Sequence, residues 1–102
     1  MNFRLLRSAD AEAIEAAVWY DDRRAGLGDE FLTELDRTFQ RLCEAPQACS
    51  QLEAYSGPHG VRRCSLKRFP YIVIFLCRPS ETIVLAVSHV RRRPFFWLER
   101  LE

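Results

Sequence analysis

Tyr71-Ile72-Val73-Ile74-Phe75-Leu76-Cys77-Arg78-Pro79-Ser80-Glu81-Thr82-Ile83-Val84-Leu85-Ala86-Val87-Ser88-His89 decides the fold. Two apolar runs, rich in β-branched and aromatic residues, flank Arg78-Pro79-Ser80-Glu81, which reads as a turn. Neither run alternates with polar residues, the pattern of strands buried on both faces or in the middle of a sheet. The short connection makes them antiparallel neighbours. Immediately upstream, Val61 to Leu66 is a third candidate strand, and Phe69-Pro70 turns the chain between it and Tyr71. The C-terminal half therefore predicts a three-strand antiparallel meander.

The period changes in the N-terminal half. Asn2 to Leu6 reads as a short opening strand, with Phe3 and Leu5 alternating against Arg4. From Ala9 to about Arg24 the chain is Ala-rich and helical, with Ser8 as the expected N-cap and Asp10 and Glu12 in the first turn. Ala13, Ile14, Ala17 and Tyr20 trace the expected buried face, flanked by Trp19. Gly26-Leu27-Gly28 breaks this helix, and Asp29 is the expected cap of the next. Leu27, Phe31, Leu35, Phe39 and Leu42 recur at amphipathic spacing, and that helix should end at Glu44, before Pro46. Two helices so closely joined form an antiparallel hairpin. Pro46 to Gly60 reads as a loop, turned at Gly57-Pro58, and a short helix is expected from about Pro94. The fold class is α+β: a hairpin packed on one face of an antiparallel sheet, in a single domain over 1–102.

Composition bounds the possibilities. The chain has 102 residues, 48% hydrophobic and 12% aromatic, enough for a core and too few for separate cofactor and substrate domains. The formal charge of +1 conceals a division. Residues 1–60 carry six arginines against eleven carboxylates, a net −5, while residues 61–102 carry nine cations against three carboxylates, a net +6. Such asymmetry points to an anionic partner for the second half. Four cysteines without a C-x-x-C pair give no metal site, and no cofactor motif is present. No signal peptide opens the chain and no stretch approaches the ~20 apolar residues of a membrane span. A reduced, cytoplasmic protein is expected, with Cys64 and Cys77 as small buried hydrophobes.

Several pieces then fall in a telling order: Trp19-Tyr20 late in the first helix, Gly26-Leu27-Gly28 before Phe31, and Pro46 closing the second helix. Val61-Arg62-Arg63 leads to Phe69-Pro70-Tyr71, and Ala86-Val87-Ser88-His89-Val90-Arg91-Arg92-Arg93-Pro94 precedes Trp97 and Arg100. Over essentially the whole chain this set resembles the RelE/ParE superfamily of toxins from type II toxin–antitoxin pairs, and its C-terminal signature looks like that of ParE-like plasmid stabilisation proteins. The resemblance implies a small toxin held inactive by a cognate antitoxin. It also implies one of two targets: DNA gyrase for ParE-type members, or the ribosomal A site, where RelE-type members cut mRNA.

Fold cannot choose between these, so the residues must. RNA cleavage by 2′-OH attack needs proton-transfer groups and cations for the developing phosphate charge. Arg62, Arg63, Lys67 and Arg68 cluster near one strand, and Arg91, Arg92 and Arg93 follow His89, the one plausible acid–base histidine; His59 reads as solvated. Arg62, Arg63, Lys67, His89 and Arg91 are the candidate catalytic set for an endonuclease. Active RelE-like members generally place a tyrosine near the C-terminal end, where this chain has Phe95 and Phe96. That departure favours a non-enzymatic ParE-like gyrase inhibitor. Its expected partner surface is Arg62, Arg63, Lys67, Arg68, His89, Arg91, Arg92, Arg93 and Trp97, with the charge of Arg62, Arg63, Lys67 and Arg68 uncompensated locally. The alternatives are the ribosome-dependent mRNA endonuclease and a non-toxic binding module of the same fold.

Overall fold

The structure is a computed structural model that describes residues 2–51 and 60–101. The element order is β1 (Asn2–Leu5), α1 (Arg7–Arg23), α2 (Leu27–Glu44), a 3-10 turn (Pro46–Ala48), β2 (Ser50–Gln51), β3 (Val61–Ser65), β4 (Tyr71–Arg78), β5 (Glu81–His89) and a 3-10 turn (Leu98–Arg100). The five strands form one sheet in the order β1-β5-β4-β3-β2. The two apolar runs are its centre, β4 and β5, joined through Pro79-Ser80 with Arg78 opposite Glu81. The meander β3-β4-β5 is antiparallel as the sequence implies. β1 runs parallel to β5, so the sheet is mixed. The helical hairpin supplies the crossover that a parallel neighbour requires. A two-residue strand, β2, lies within the stretch read from sequence as loop, pairing with β3 at the far edge. Gly57-Pro58 and His59 lie outside the described residues.

Both faces of β4 and β5 are covered. Val73, Phe75, Val84 and Val87 pack with Ala9, Ala13, Ala16, Ala17 and Phe31 of the hairpin. Ile72, Ile74, Leu76, Ile83 and Leu85 pack on the opposite face with Phe96 and Trp97 of the tail. The ladder slips by one residue between Ile74 and Phe75, where Ile74 faces Ala86 and Phe75 faces Val84. Leu85 is the extra residue of this bulge, an irregularity that re-aims the strand beyond it.

The helices depart from expectation at their starts. Leu6 donates its N–H to the Val84 carbonyl at 3.2 Å, so the chain leaves the sheet there and α1 opens at Arg7. Ser8 therefore lies inside the first turn and does not cap. Ile14 is 54% exposed, because the buried face is set by Ala9, Ala13, Ala16, Ala17 and Tyr20. Asp29 does not cap α2 either. The N-cap is Gly26 at φ 89°, a left-handed backbone that glycine adopts without a side-chain clash. Asp21 of α1 instead accepts the Gly28 N–H at 2.7 Å.

The tail is not the helix expected from Pro94. Phe95 takes φ 61°, which interrupts helical geometry and lets Phe96 and Trp97 fall onto the sheet. Trp97 is 1% exposed and belongs to the core, so it offers no partner surface.

At Gly28 the two helices touch. A Cβ there would lie 2.4 Å from the Ala17 carbonyl oxygen and 2.8 Å from Asp21 Oδ1. Gly28→Ala should therefore lower folding stability by roughly 1–3 kcal/mol. Urea unfolding checks this, and a midpoint equal to the parent's would show that the hairpin yields without cost.

Candidate functional site

Three segments converge at one end of the sheet. They are the β3–β4 turn, the C-terminal end of β5, and the tail that follows it. Tyr71 opens β4 directly opposite His89, which closes β5, and their rings meet edge-on at 5.5 Å. Just beyond, the Val90 N–H donates to the Pro70 carbonyl at 3.0 Å, fixing the start of the tail against the turn. His89 is exposed, and its Nδ1 accepts the Arg91 N–H at 3.1 Å. A neutral ring with Nδ1 as acceptor carries its proton on Nε2.

His89 borders two cavities. On the hairpin side, a groove of about 720 Å³ lies between α1 and the sheet end, bounded by Glu12, Trp19, Tyr20, Tyr71 and Arg92. Trp19 is about half exposed, with the Arg23 guanidinium 3.4 Å above its ring, a cation–π arrangement. On the tail side, a cavity of about 250 Å³ is bounded by Arg63, Arg93, Phe95 and Trp97. Burial pushes the Tyr71 hydroxyl above its ordinary pKa, and burial followed by the Tyr71 charge does the same for Tyr20. Both phenols stay protonated at neutral pH.

The basic residues divide into those the fold uses and those it leaves over. Glu12, on α1, is the main counter-charge. Its carboxylate accepts the Val87 N–H at 3.1 Å, both Nη atoms of Arg100 at 3.0 and 3.1 Å, and Nη1 of Arg92. Arg100 also donates to the Leu85 carbonyl at 2.9 Å, at the bulge. Arg92 is stacked 3.7 Å from the Phe96 ring. At the β3–β4 turn, Glu34 of α2 accepts the backbone N–H groups of Lys67 and Arg68. Arg68 pairs with Glu30 at 2.8 Å, and this hydrogen bond holds Glu30 below the usual carboxylate range.

The expectation of locally uncompensated charge is thus corrected for Arg68, and Arg92 of the expected partner surface is paired as well. Arg62 and Arg63 also separate. Adjacent strand residues point to opposite faces, and Arg62 turns to the Cys49 carbonyl at 3.0 Å while Arg63 borders the tail-side cavity. The side chains of Arg63, Lys67, Arg91 and Arg93 are exposed and make no ion pair among the described residues. Arg63 and Arg93 share the tail-side cavity with His89, Arg91 follows His89 in the chain, and Lys67 lies in the β3–β4 turn.

A family model described as the ParE toxin of type II toxin-antitoxin system, parDE, matches residues 3–94. The chain belongs to the ParE toxin family. It is the toxin component of a type II toxin–antitoxin module. A solved structure titled as the chromosomal ParDE system from P. aeruginosa superposes with a TM-score of 0.73 at 20% identity, over 87% of this chain and 95% of that one. That likeness concerns the fold. No curated protein matches the chain. Among the described residues of this ParE-family toxin, no helix is long and apolar enough to cross a membrane. Among the described residues no group of His, Cys, Asp and Glu could hold a metal ion.

Sequence reasoning missed Glu12, Glu34 and Tyr71. Glu12 has only a first-turn position to mark it, and its partners lie far along the chain. In this toxin its side chain is 13% exposed and that of Arg100 16%, so the pair is largely removed from water. Removing one partner leaves the other charge buried and unmatched. Glu12→Ala should destabilise the fold by about 2–4 kcal/mol, and clearly more than Glu30→Ala, which probes an exposed, solvent-screened pair. Chemical denaturation of both variants measures the difference, and equal losses would remove Glu12 from this role.

Proposed function

We propose that this toxin acts by binding rather than by bond cleavage, as an inhibitor of DNA gyrase in the cytoplasm, and that a cognate antitoxin neutralises it by covering the cationic sheet end. One observation carries the reading. Arg63 and Arg93 border a cavity with His89, Arg91 follows it in the chain, and none of these three side chains makes an ion pair among the described residues, while Arg68, Arg92 and Arg100 are consumed by the fold. Exposed guanidinium groups held on a rigid strand end favour an anionic surface, with fork-shaped donors suited to carboxylate or phosphate. The tail positions where a proton-transfer side chain would serve RNA cleavage hold Phe95 and Phe96, the latter buried under Arg92. Val90, about half exposed beside these cations, adds apolar contact for a partner segment.

The contact between Tyr71 and His89 supports a second reading, a ribosome-dependent mRNA endonuclease. A phenol beside an imidazole, with Arg63 nearby on the other face, is a chemically adequate set for 2′-OH attack: His89 to move a proton and the arginines to stabilise the phosphate.

One set of experiments separates the two. Purified toxin in a gyrase supercoiling assay should block supercoiling, and a combined Arg63→Glu, Arg91→Glu, Arg93→Glu variant should lose at least tenfold in potency while keeping the parent's melting temperature. Tyr71→Phe should inhibit as well as the parent. Supercoiling unchanged at micromolar excess, together with A-site cuts in translating ribosomes that Tyr71→Phe abolishes, would replace the first reading by the second.

A further inference from the structure

Two buried cysteines face each other at the opposite edge of the sheet from β1. Ser50 of β2 pairs with Arg63 of β3 and Gln51 with Arg62, so one position further along the same antiparallel register sets Cys49 against Cys64. The Cys49 and Cys64 thiols are free and 6% and 7% exposed. Directly opposed residues of an antiparallel pair have Cα atoms about 4.5–5.5 Å apart, inside the disulfide range of about 4.4–6.8 Å. Cys43 and Cys77 are only half-buried, and their packing partners are those of the hairpin-side core.

The surroundings suit a reversible bond. Arg41 of α2 donates to Cys64 Sγ at 3.5 Å and to the Ser65 carbonyl at 3.1 Å, which keeps a positive charge beside one sulfur. Arg62 donates to the Cys49 carbonyl at 3.0 Å, so the backbone carrying Cys49 is tied to the strand carrying Cys64. Burial, reinforced by the neighbouring Cys64 thiol, pushes the Cys49 thiol up to about 12. Reduced Cys49 is therefore protonated at rest, and reaction waits on opening of β2, a two-residue edge strand with few bonds to break.

We infer that Cys49 and Cys64 form a redox-reversible cross-strand disulfide that fastens β2 to β3, the strand carrying Arg62 and Arg63. The oxidant is a small disulfide. One protein thiolate attacks it, forming a mixed disulfide and releasing one small thiolate. The second protein thiolate attacks the protein sulfur of that bond, closing Cys49–Cys64 and releasing the second. The pair loses two electrons to the small disulfide, and both thiol protons end on the released thiols. The closed loop runs from Cys49 to Cys64, so the bond restricts the unfolded chain and stabilises the oxidised protein.

The test equilibrates the full chain in buffers of oxidised and reduced glutathione, followed by alkylation, peptide mass mapping and thermal melting. The expected product is one intramolecular bond, a mass loss of about 2 Da, joining the Cys49 and Cys64 peptides while Cys43 and Cys77 remain alkylated. The oxidised form should melt several degrees higher. Cys49→Ser should abolish both changes, whereas a Cys43→Ser, Cys77→Ser double variant should keep both. Four alkylatable thiols across the whole series, or a bond through Cys43 or Cys77, would overturn the assignment. An unchanged melting temperature in the bonded form would overturn the fastening of β2.

Discussion

The carboxylate of Glu12 joins three parts of this molecule at one point. It sits on α1, accepts a backbone N–H from β5, and gathers Arg92 and Arg100 from the two ends of the tail. Without it the tail would keep its apolar contacts through Phe96 and Trp97 and the single bonds from Val90 to Pro70 and from Arg100 to Leu85. An apolar contact fixes area but not register, whereas a carboxylate shared by two guanidiniums and an amide admits few arrangements. Because Arg91 and Arg93 flank Arg92, holding Arg92 inward holds its neighbours at the rim of the sheet end.

The bulge at Leu85 is the second element of that arrangement. It releases a carbonyl from the ladder, and Arg100 takes it up. It also moves every pairing beyond it by one residue, bringing His89 opposite Tyr71. A regular hairpin continued from Arg78 and Glu81 would have set Tyr71 against Ser88. The same slip thus anchors the tail and assembles the aromatic contact at the site.

This explains what could and could not be read from the chain. The central strands, the hairpin of helices and the two-faced burial of β4 and β5 follow from composition and period, because local runs of apolar residues carry that information. The end of α2 was legible from Pro46. The parallel docking of β1, the bulge and the path of the tail were not, since each depends on contacts between distant segments. The site followed the same division. Its basic residues were visible as a charge asymmetry, but which arginines remain free depends on Glu12 and Glu30, whose partners lie 80 and 38 positions away. Tyr71 was hidden behind the register slip, and Trp97 was misplaced because only the fold shows it as core.

The charge asymmetry itself changes meaning once the fold is known. Part of the negative half serves to neutralise part of the positive half, and what remains is a small set of cations at one end of the sheet. That set is the surface we propose for an anionic partner. Its geometry depends on the tail staying closed. Amide hydrogen exchange in Glu12→Gln measures this most directly: the N–H groups of Leu98, Arg100 and Leu101, hydrogen-bonded within the tail, should exchange at least tenfold faster, while those of central β4 and β5 stay protected. Unchanged exchange in the tail would show that the aromatic contacts suffice and that Glu12 does not organise this end of the molecule.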